Sequence, residues 1–359
     1  MRIGELRKRI DELDSQILEL LNKRAEIVIE IGREKAQEDL DFHVPQREEE
    51  IYARLSQQNQ GPFPTEAVRA VFREILSACL SLERPLRVAY LGPEATFTHL
   101  ACMKRFGLSA QFVSVRGIAD VFAEVEKGNV DYGVVPIENS TEGVVSHTLD
   151  MFIDSDLKIC GEILSQISHN LLSCSGDLKQ IAKIYSHPHA IAQSKRWLEA
   201  NLPDVEVLEV SSTAAAAELA AKDPTAAAIA SELAADLYGL KVIYRRIEDN
   251  PRNFTRFLVM GKKPSAPTGN DKTSIVVSIR DRVGALYQLL RPFAENGINL
   301  TKIESRPSRQ KAWEYLFYVD FEGSIEEERV QRALEAVREE SLFLKVLGSY
   351  PAGDRRPET

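Results

Sequence analysis

Val134-Val135-Pro136-Ile137-Glu138-Asn139-Ser140-Thr141-Glu142-Gly143 is the stretch on which the reading of this chain turns. An apolar run of strand character delivers Glu, Asn, Ser and Thr in succession at its carboxyl end, where open α/β sheets collect their ligands. Outward from it, short apolar runs alternate with helical patterns: Arg87–Leu91 before it, Ala226–Ala230 and Phe257–Met260 after it. That alternation predicts a parallel or mixed α/β sheet across residues 86–263. Three further polar clusters lie in the same region. Tyr90 to Thr98 reads as a strand entering a Gly/Thr-rich turn, where a helix start offers free N–H groups to an anion. Tyr185-Ser186-His187-Pro188-His189, with Gln193, is the second. Its two histidines have no third ligand at a workable spacing, so no metal is expected. Asn253-Phe254-Thr255-Arg256-Phe257 opens the last apolar run. Taken singly, each cluster also fits an ordinary loop.

A polar Pro/Gly/Ser stretch from Lys262 to Asn270 reads as a linker. Beyond it, residues 272–350 follow a strand–helix–strand–strand–helix–strand order, an α+β pattern. The tail, residues 351–359, is expected to be disordered. The Ala-rich tract Thr213–Ala221 reads as a closely packed helix. Before the α/β region, residues 1–85 read as all-helical. Apolar residues recur at Ile3, Leu6, Ile10, Leu13, Ile17, Leu20, Ile27 and Ile31, a coiled-coil-like seam. The helix that carries them would be about 50 Å long. Such a stripe cannot be buried within 85 residues, so a bundle shared between two chains is expected. Arg24 interrupts the seam. A cation there costs several kcal/mol unless it is paired. It snorkels or pairs structurally, or else the seam encloses an anion. Lys35 lies on nearly the same face. Arg7 lies about 25 Å from Arg24 along a straight helix, so one small ligand meets both only if Arg7 comes from a second chain.

Bulk properties narrow the class. With 359 residues the chain is too long for one ordinary core. Its net charge of −9 argues against a nucleic-acid partner, whose affinity comes largely from clustered Lys and Arg. Any anion pocket must therefore be built locally. Cys79, Cys102, Cys160 and Cys174 form no CxxC pair, which fits a reducing compartment. The N-terminal segment lacks an apolar signal region, and no apolar run approaches the roughly 20 residues of a membrane span. A cytoplasmic protein without membrane association is the expectation.

Residues 1–85 resemble the all-helical class of chorismate mutase. The matching positions are Leu6-Arg7, Leu13-Asp14, Leu20-Leu21, Arg24, Lys35, Arg47-Glu48 and Val71-Phe72-Arg73-Glu74-Ile75. The resemblance implies that Arg24 and the partner subunit's Arg7 hold the substrate carboxylates. It gives Arg47 a supporting role, Glu48 the ring hydroxyl, and Lys35 the ether oxygen. Such an enzyme orients a dianion and stabilises the charge that grows on that oxygen. Val44 stands where a polar residue is often seen, Cys79 where Ser is usual, and Glu83 where Gln is usual. A Glu83 carboxylate would repel the growing charge, whereas a carboxylic acid could donate to it. Glu83 is thus expected to act as a protonated acid, and the mutase to lose activity as pH rises.

Residues 86–263 resemble prephenate dehydratase, on the four polar clusters in their order. The implied fold is two α/β lobes around a cleft, similar to periplasmic binding proteins. Prephenate loses CO2 and its ring hydroxyl together, and aromatisation drives the step. The enzyme needs one proton donor and neutral polar groups around it. The resemblance makes Thr255 that donor, a weak acid that needs a dry, hydrogen-bonding cleft. It implies substrate contacts from Glu138, Asn139, Ser140, Thr141, Ser186, Gln193, Ser212, Thr213, Asn253 and Phe257. Arg256 would pair either with a substrate carboxylate or with Glu138. Ala95 stands where Gly is usual.

Residues 272–350 resemble an ACT domain, the ferredoxin-like unit that binds amino acids. Gly284-Ala285-Leu286 and Glu304-Ser305-Arg306-Pro307 match its phenylalanine-responsive version. With Asn299 they are the implied effector-binding residues. The combined expectation is a multidomain homodimer with intertwined mutase helices and no cofactor. It would convert chorismate to prephenate and prephenate to phenylpyruvate, under feedback from L-phenylalanine. Two rivals remain at this point: a binding protein without chemistry, and a dehydratase for arogenate, the amino analogue of prephenate.

Overall fold

The computed structural model describes residues 2–38, 41–280, 282–307 and 315–353. Most of the tail expected to be disordered lies outside them. The chain divides into two compact units, the first taking in Met1–Arg87 with Met103–Gln111. Three helices dominate it: α1 (Arg2–Glu38), α2 (Pro45–Gln58) and α3 (Thr65–Glu83). Pro45 stands at the start of α2, where its fixed φ suits a helix and its missing N–H costs nothing. Both α1 and α2 pack on α3. The seam predicted from the sequence does run along α1, yet its residues from Ile3 to Ile31 stay 45–68% exposed within one chain. Residues 103–111 are tied to α3 by polar bonds. Arg73 Nη1 donates to the Lys104 carbonyl at 2.9 Å, and the Leu108 N–H donates to Glu74 Oε2 at 2.8 Å.

The second unit takes in Val88–Cys102 and Phe112–Thr359. Its first lobe contains β1 (Arg87–Leu91), α4 (Phe97–Phe106), β2 (Gln111–Val115), α5 (Ile118–Lys127), β3 (Tyr132–Asn139), β4 (Gly143–Val144), α6 (Ser146–Asp154) and β5 (Lys158–Gln166). The chain then crosses to a second lobe. That lobe begins with β6 (Asn170–Ser173), β7 (Lys183–Ser186), α7 (Pro188–Gln193), α8 (Lys195–Asn201) and β8 (Glu206–Glu209). It ends with α9 (Thr213–Ala221), β9 (Ala226–Ala230), α10 (Glu232–Tyr238) and β10 (Lys241–Tyr244). Finally β11 (Phe254–Gly261) returns to the first sheet, between β3 and β5. The strand orders are β2-β1-β3-β11-β5, with β4 on β3, and β10-β6-β9-β7-β8. Both sheets are mixed: β1 and β3 are parallel while β11 is antiparallel to both neighbours, and β7 is parallel to β8 and β9 while β6 is antiparallel to β9. The Ala-rich tract is α9, which buries Ala214, Ala216, Ala217 and Ala220 in one cluster with Ala226, Ala228 and Ala230 of β9.

After the linker come β12 (Asp271–Ile279), α11 (Ala285–Glu295), β13 (Leu300–Pro307), β14 (Tyr315–Glu322), α12 (Glu328–Glu340) and β15 (Ser341–Pro351). They form an antiparallel sheet of order β13-β14-β12-β15, in the chain order expected of a ferredoxin-like unit. Alternation along its strands divides the two faces. Ile275, Val277 and Val319 join a core with Phe293, Val330 and Val337 of the helices. Val276, Tyr318 and Tyr350 belong instead to the core of the first lobe, with Phe122, Phe152 and Ile159.

Candidate functional site

The two lobes of the second unit enclose a cleft of about 530 Å³. The β3–β11 ladder sets its chemistry. Thr255 pairs opposite Asn139, Arg256 opposite Glu138, and Phe257 opposite Pro136, so the register slips between Arg256 and Phe257. Thr255, Phe257, Asn139 and Pro136 line the cleft, with Asn253 beside them. Asn139 Nδ2 donates to Thr255 Oγ1 at 2.8 Å and to Asn253 Oδ1 at 2.9 Å. Asn139 Oδ1 accepts the backbone N–H groups of Thr141 and Glu142, at 2.9 and 3.0 Å. That fixes the amide orientation, because only the NH2 side can face Thr255. A hydroxyl that accepts through its oxygen keeps its proton to give. Asn139 also favours negative charge on that oxygen, which makes Thr255 a better acid.

The network continues across the cleft. Asn253 Nδ2 donates to Gln193 Oε1 at 2.7 Å, and Gln193 Nε2 donates to Glu142 Oε1 at 3.1 Å. His169 Nε2 lies 2.9 Å from the same Gln193 oxygen and, facing an acceptor, is the donor. Burial is the largest influence on His169 and lowers its pKa from 6.5, which keeps the ring neutral. Ser212 and Thr213 reach the cleft at the start of α9, where Ser212 Oγ accepts from the Ala215 N–H. His169 and Glu142 were absent from the expected contacts. Glu142 lies in the Val134–Gly143 stretch, whereas a lone histidine leaves no pattern to find. His187 and His189 also line the cleft. Among the described residues, no group of three or more His, Cys, Asp and Glu side chains could hold a metal ion. Ala95, in the turn where Gly is usual, is buried at φ 63°, a left-handed backbone that Gly adopts without strain.

Several expected contacts need correction. Arg256 meets neither a cleft ligand nor Glu138. It points to the other face of β11, where its guanidinium binds Glu162, Asp320 and Tyr350. Glu138 turns the same way and pairs with Lys302 at 2.7 Å. Strand parity is the reason: neighbours of Thr255 and Asn139 must face away from the cleft. Ser186 is fully buried and donates to the Ile229 carbonyl at 2.7 Å, so it holds β7 to β9. Ser140 Oγ accepts the Phe254 N–H at 2.9 Å, fastening the loop to β11. Thr141 meets Asn253 Oδ1 at 3.4 Å.

In the first unit, Lys35 of α1 and Glu83 of α3 come together at 3.5 Å, and Lys35 Nζ donates to the Phe42 carbonyl at 2.9 Å. Gly32 makes the room: a Cβ there would stand 2.7 Å from Glu83 Cγ. Cys79 is buried one turn before Glu83 on α3. Among the described residues, Arg24 Nη1 is buried with no hydrogen-bond partner. Glu48 lies 3.2 Å from His43 and 3.6 Å from Arg105. Burial raises its pKa, but the His43 bond and the charges of His43, Arg105 and Arg69 outweigh this and hold it below the usual value. His43 and Arg105 were not foreseen. Arg47 is not brought to this group; it is exposed and pairs with Glu50 at 2.9 Å. Arg7 is exposed on the far part of α1.

In the C-terminal module, Gly284 caps α11 at φ 81°, with Ala285 and Leu286 opening the helix. Glu304, Ser305, Arg306 and Pro307 close β13, the edge strand, and exposed Asn299 precedes it. Arg306 Nε lies 3.4 Å from Asp150 of α6.

Comparison with known proteins finds a match in each of the three modules. Family models match for Chorismate mutase type II over residues 6–84, Prephenate dehydratase over 88–265 and ACT domain over 273–339. A bifunctional chorismate mutase/prephenate dehydratase of Aquifex aeolicus is 54% identical over 353 residues, 97% of this chain and 98% of that one. Its counterpart in Pseudomonas aeruginosa is 47% identical over 356 residues, 98% of each chain. A solved prephenate dehydratase of Arthrobacter aurescens, in complex with L-Phe, superposes with a TM-score of 0.70 at 36% identity, over 76% of this chain and 92% of that one.

Proposed function

The chain belongs to the family of bifunctional chorismate mutase/prephenate dehydratases, and from that premise we propose how its residues divide the work and how L-phenylalanine regulates it. It has both activities: rearrangement of chorismate to prephenate, and decarboxylating dehydration of prephenate to phenylpyruvate. We assign them to modules over residues 1–85 and 86–263, with a regulatory ACT module over 272–350. Among the described residues no helix is long and apolar enough to cross a membrane. The four cysteines are unpaired, which supports a reducing compartment and hence the cytoplasm.

In the dehydratase, Thr255 gives its proton to the departing ring hydroxyl. The observation that carries this is the 2.8 Å bond from the locked Asn139 amide to Thr255 Oγ1. Asn253 and Gln193 complete a neutral polar wall that orients prephenate, while Phe257 offers an apolar face to its ring. Neutral groups suit the reaction, because a cation on the departing carboxylate would hold back CO2. The turn of Arg256 away from the cleft agrees with that.

In the mutase, the dianion fills the place between Arg24 and Lys35, and Lys35 exchanges Glu83 for the ether oxygen. Glu48, oriented by His43 and Arg105, takes the ring hydroxyl. The exposed seam on α1 supports a second copy that covers it and delivers the partner subunit's Arg7. Exposed Val283, Leu286, Tyr287 and Ile303 on the C-terminal module support a further contact between copies. The effector L-phenylalanine would bind there, its carboxylate at the Gly284 turn and the first N–H groups of α11. The mutase that makes prephenate is fused to the dehydratase on one chain, which favours prephenate over arogenate as the dehydratase substrate.

The test is ultraviolet absorbance of purified protein supplied with chorismate, with and without L-phenylalanine. Loss of chorismate and appearance of phenylpyruvate, suppressed by phenylalanine, is the expected result. Prephenate accumulating without phenylpyruvate would remove the dehydratase assignment. Phenylpyruvate formation indifferent to phenylalanine would remove the effector.

A further inference from the structure

We propose that Arg256 is a positioning residue for Thr255 and that the C-terminal sheet is its anchor, so that this sheet forms part of the frame of the dehydratase site. The proposal rests on the reading of Thr255 as proton donor. Thr255 and Arg256 are consecutive on β11 and face opposite sides. On the side away from the cleft, Arg256 Nε donates to Glu162 Oε2 of β5 at 2.7 Å. Its Nη1 donates to Asp320 Oδ2 of β14 at 2.5 Å, and its Nη2 to Tyr350 Oη of β15 at 2.9 Å. One planar guanidinium thus ties β11 to three other strands, two of them in the C-terminal sheet.

The partners are themselves held. Glu162 Oε1 accepts from Lys272 Nζ at 2.7 Å and from the Gly353 N–H at 2.8 Å. Asp320 Oδ1 accepts from Ser274 Oγ at 2.6 Å, and Ser274 Oγ also lies 2.6 Å from Tyr350 Oη. Two cations face two carboxylates, each less than a tenth exposed. Against an apolar replacement of equal volume such a network adds little net stability. What it supplies is geometry, because Arg donors form a rigid fork. At this point on β11 the ladder to β3 slips between Arg256 and Phe257, so toward the cleft strand β3 the placement of Thr255 rests on the ladder to β5, continuous here, and on this guanidinium. A shift of the C-terminal sheet would pull on Arg256 and so move the residue beside it, whose Oγ1 must meet both Asn139 and the substrate.

Full-length Asp320→Asn, Asp320→Glu and Tyr350→Phe test this in dehydratase assays, with thermal unfolding to verify folding. In Asp320→Asn, kcat should fall roughly 10- to 100-fold, as for sub-ångström misplacement of a reacting group, while KM changes little. Asp320→Glu, which keeps the charge, should recover part of that loss, and Tyr350→Phe should show a smaller fall in kcat. On a Thr255→Ala background the Asp320→Asn loss should vanish, since no hydroxyl remains to be positioned. Wild-type kcat in folded Asp320→Asn would overturn the proposal, as would a loss confined to KM. If Asp320→Asn does not fold, Tyr350→Phe decides by the same criteria. An undiminished Asp320→Asn loss on the Thr255→Ala background overturns the positioning role and leaves the donor in place. Full dehydratase activity in Thr255→Ala alone overturns the donor, and the positioning role with it.

Discussion

At Thr255 the hydroxyl oxygen accepts from Asn139, and under the proposed role its proton goes to the substrate. Thr255→Ala should therefore lower dehydration by about 10²–10⁴-fold, the usual contribution of a positioned acid, while chorismate consumption by the same protein is unchanged. Thr255→Ser should keep most of the rate. In the mutase, Glu83→Gln should retain activity, because an amide at this place beside Lys35 can donate to the ether oxygen; loss of chorismate consumption in folded Glu83→Gln would show that the carboxyl group itself is needed. His169 carries a stability signature. Burial lowers its pKa from 6.5 in the folded chain. The folded state therefore binds fewer protons than the unfolded one as the solution is acidified. Its contribution is fully present above the unfolded value of 6.5 and is lost as pH falls through the lower folded value. The thermal midpoint should drop across that acid range, and His169→Gln should lessen the drop. Thr255 and Asn139 were legible because they stand in dense polar clusters at strand ends. His169 was not, since only the fold brings it within 2.9 Å of Gln193.

Elements explain which expectations survived. The steps of three and four along α1 specify a helix and a seam whatever else the chain does, and α1 spans Arg2–Glu38 as that periodicity predicts. The length of α1 also sets a prediction. Arg7→Ala and Arg24→Ala proteins should each lack mutase activity, and unfolding and refolding them together should restore roughly a quarter of the wild-type rate. Random pairing places an intact pair of arginines in one site of each mixed dimer. No restoration on mixing would argue that each site is built within one chain. On β11 the period of two was available in the sequence and was decisive: Thr255 and Arg256 cannot both face one cleft. Where Arg256 goes instead was not available, because Glu162, Asp320 and Tyr350 come from three separate strands.

Across the whole molecule, the C-terminal sheet is packed on both faces, on its own helices and on the first dehydratase lobe. A module shared in this way can report effector binding to the cleft without a separate transmission element. Under the proposed effector site, Gly284 is the residue where a single change should act most directly. Its φ of 81° suits glycine, and a β-branched residue there is strained by about 1–2 kcal/mol. Gly284→Val should raise the L-phenylalanine concentration needed for half-inhibition by roughly tenfold. An unchanged inhibition curve would place the effector elsewhere.

By itself the sequence determined the three-part organisation, the long helix with its misplaced cation, and the polar clusters from which the cleft is built. These are local properties: periodicity, spacing and the residue types at strand ends. The tertiary structure decided the directions of the charges. Arg256, Glu138 and Arg47 each left the roles expected of them, while His169, His43 and Arg105 entered the sites unannounced. The physical reason is that a buried charge must find partners wherever the fold supplies them, and those partners lie on strands and helices far apart in the chain.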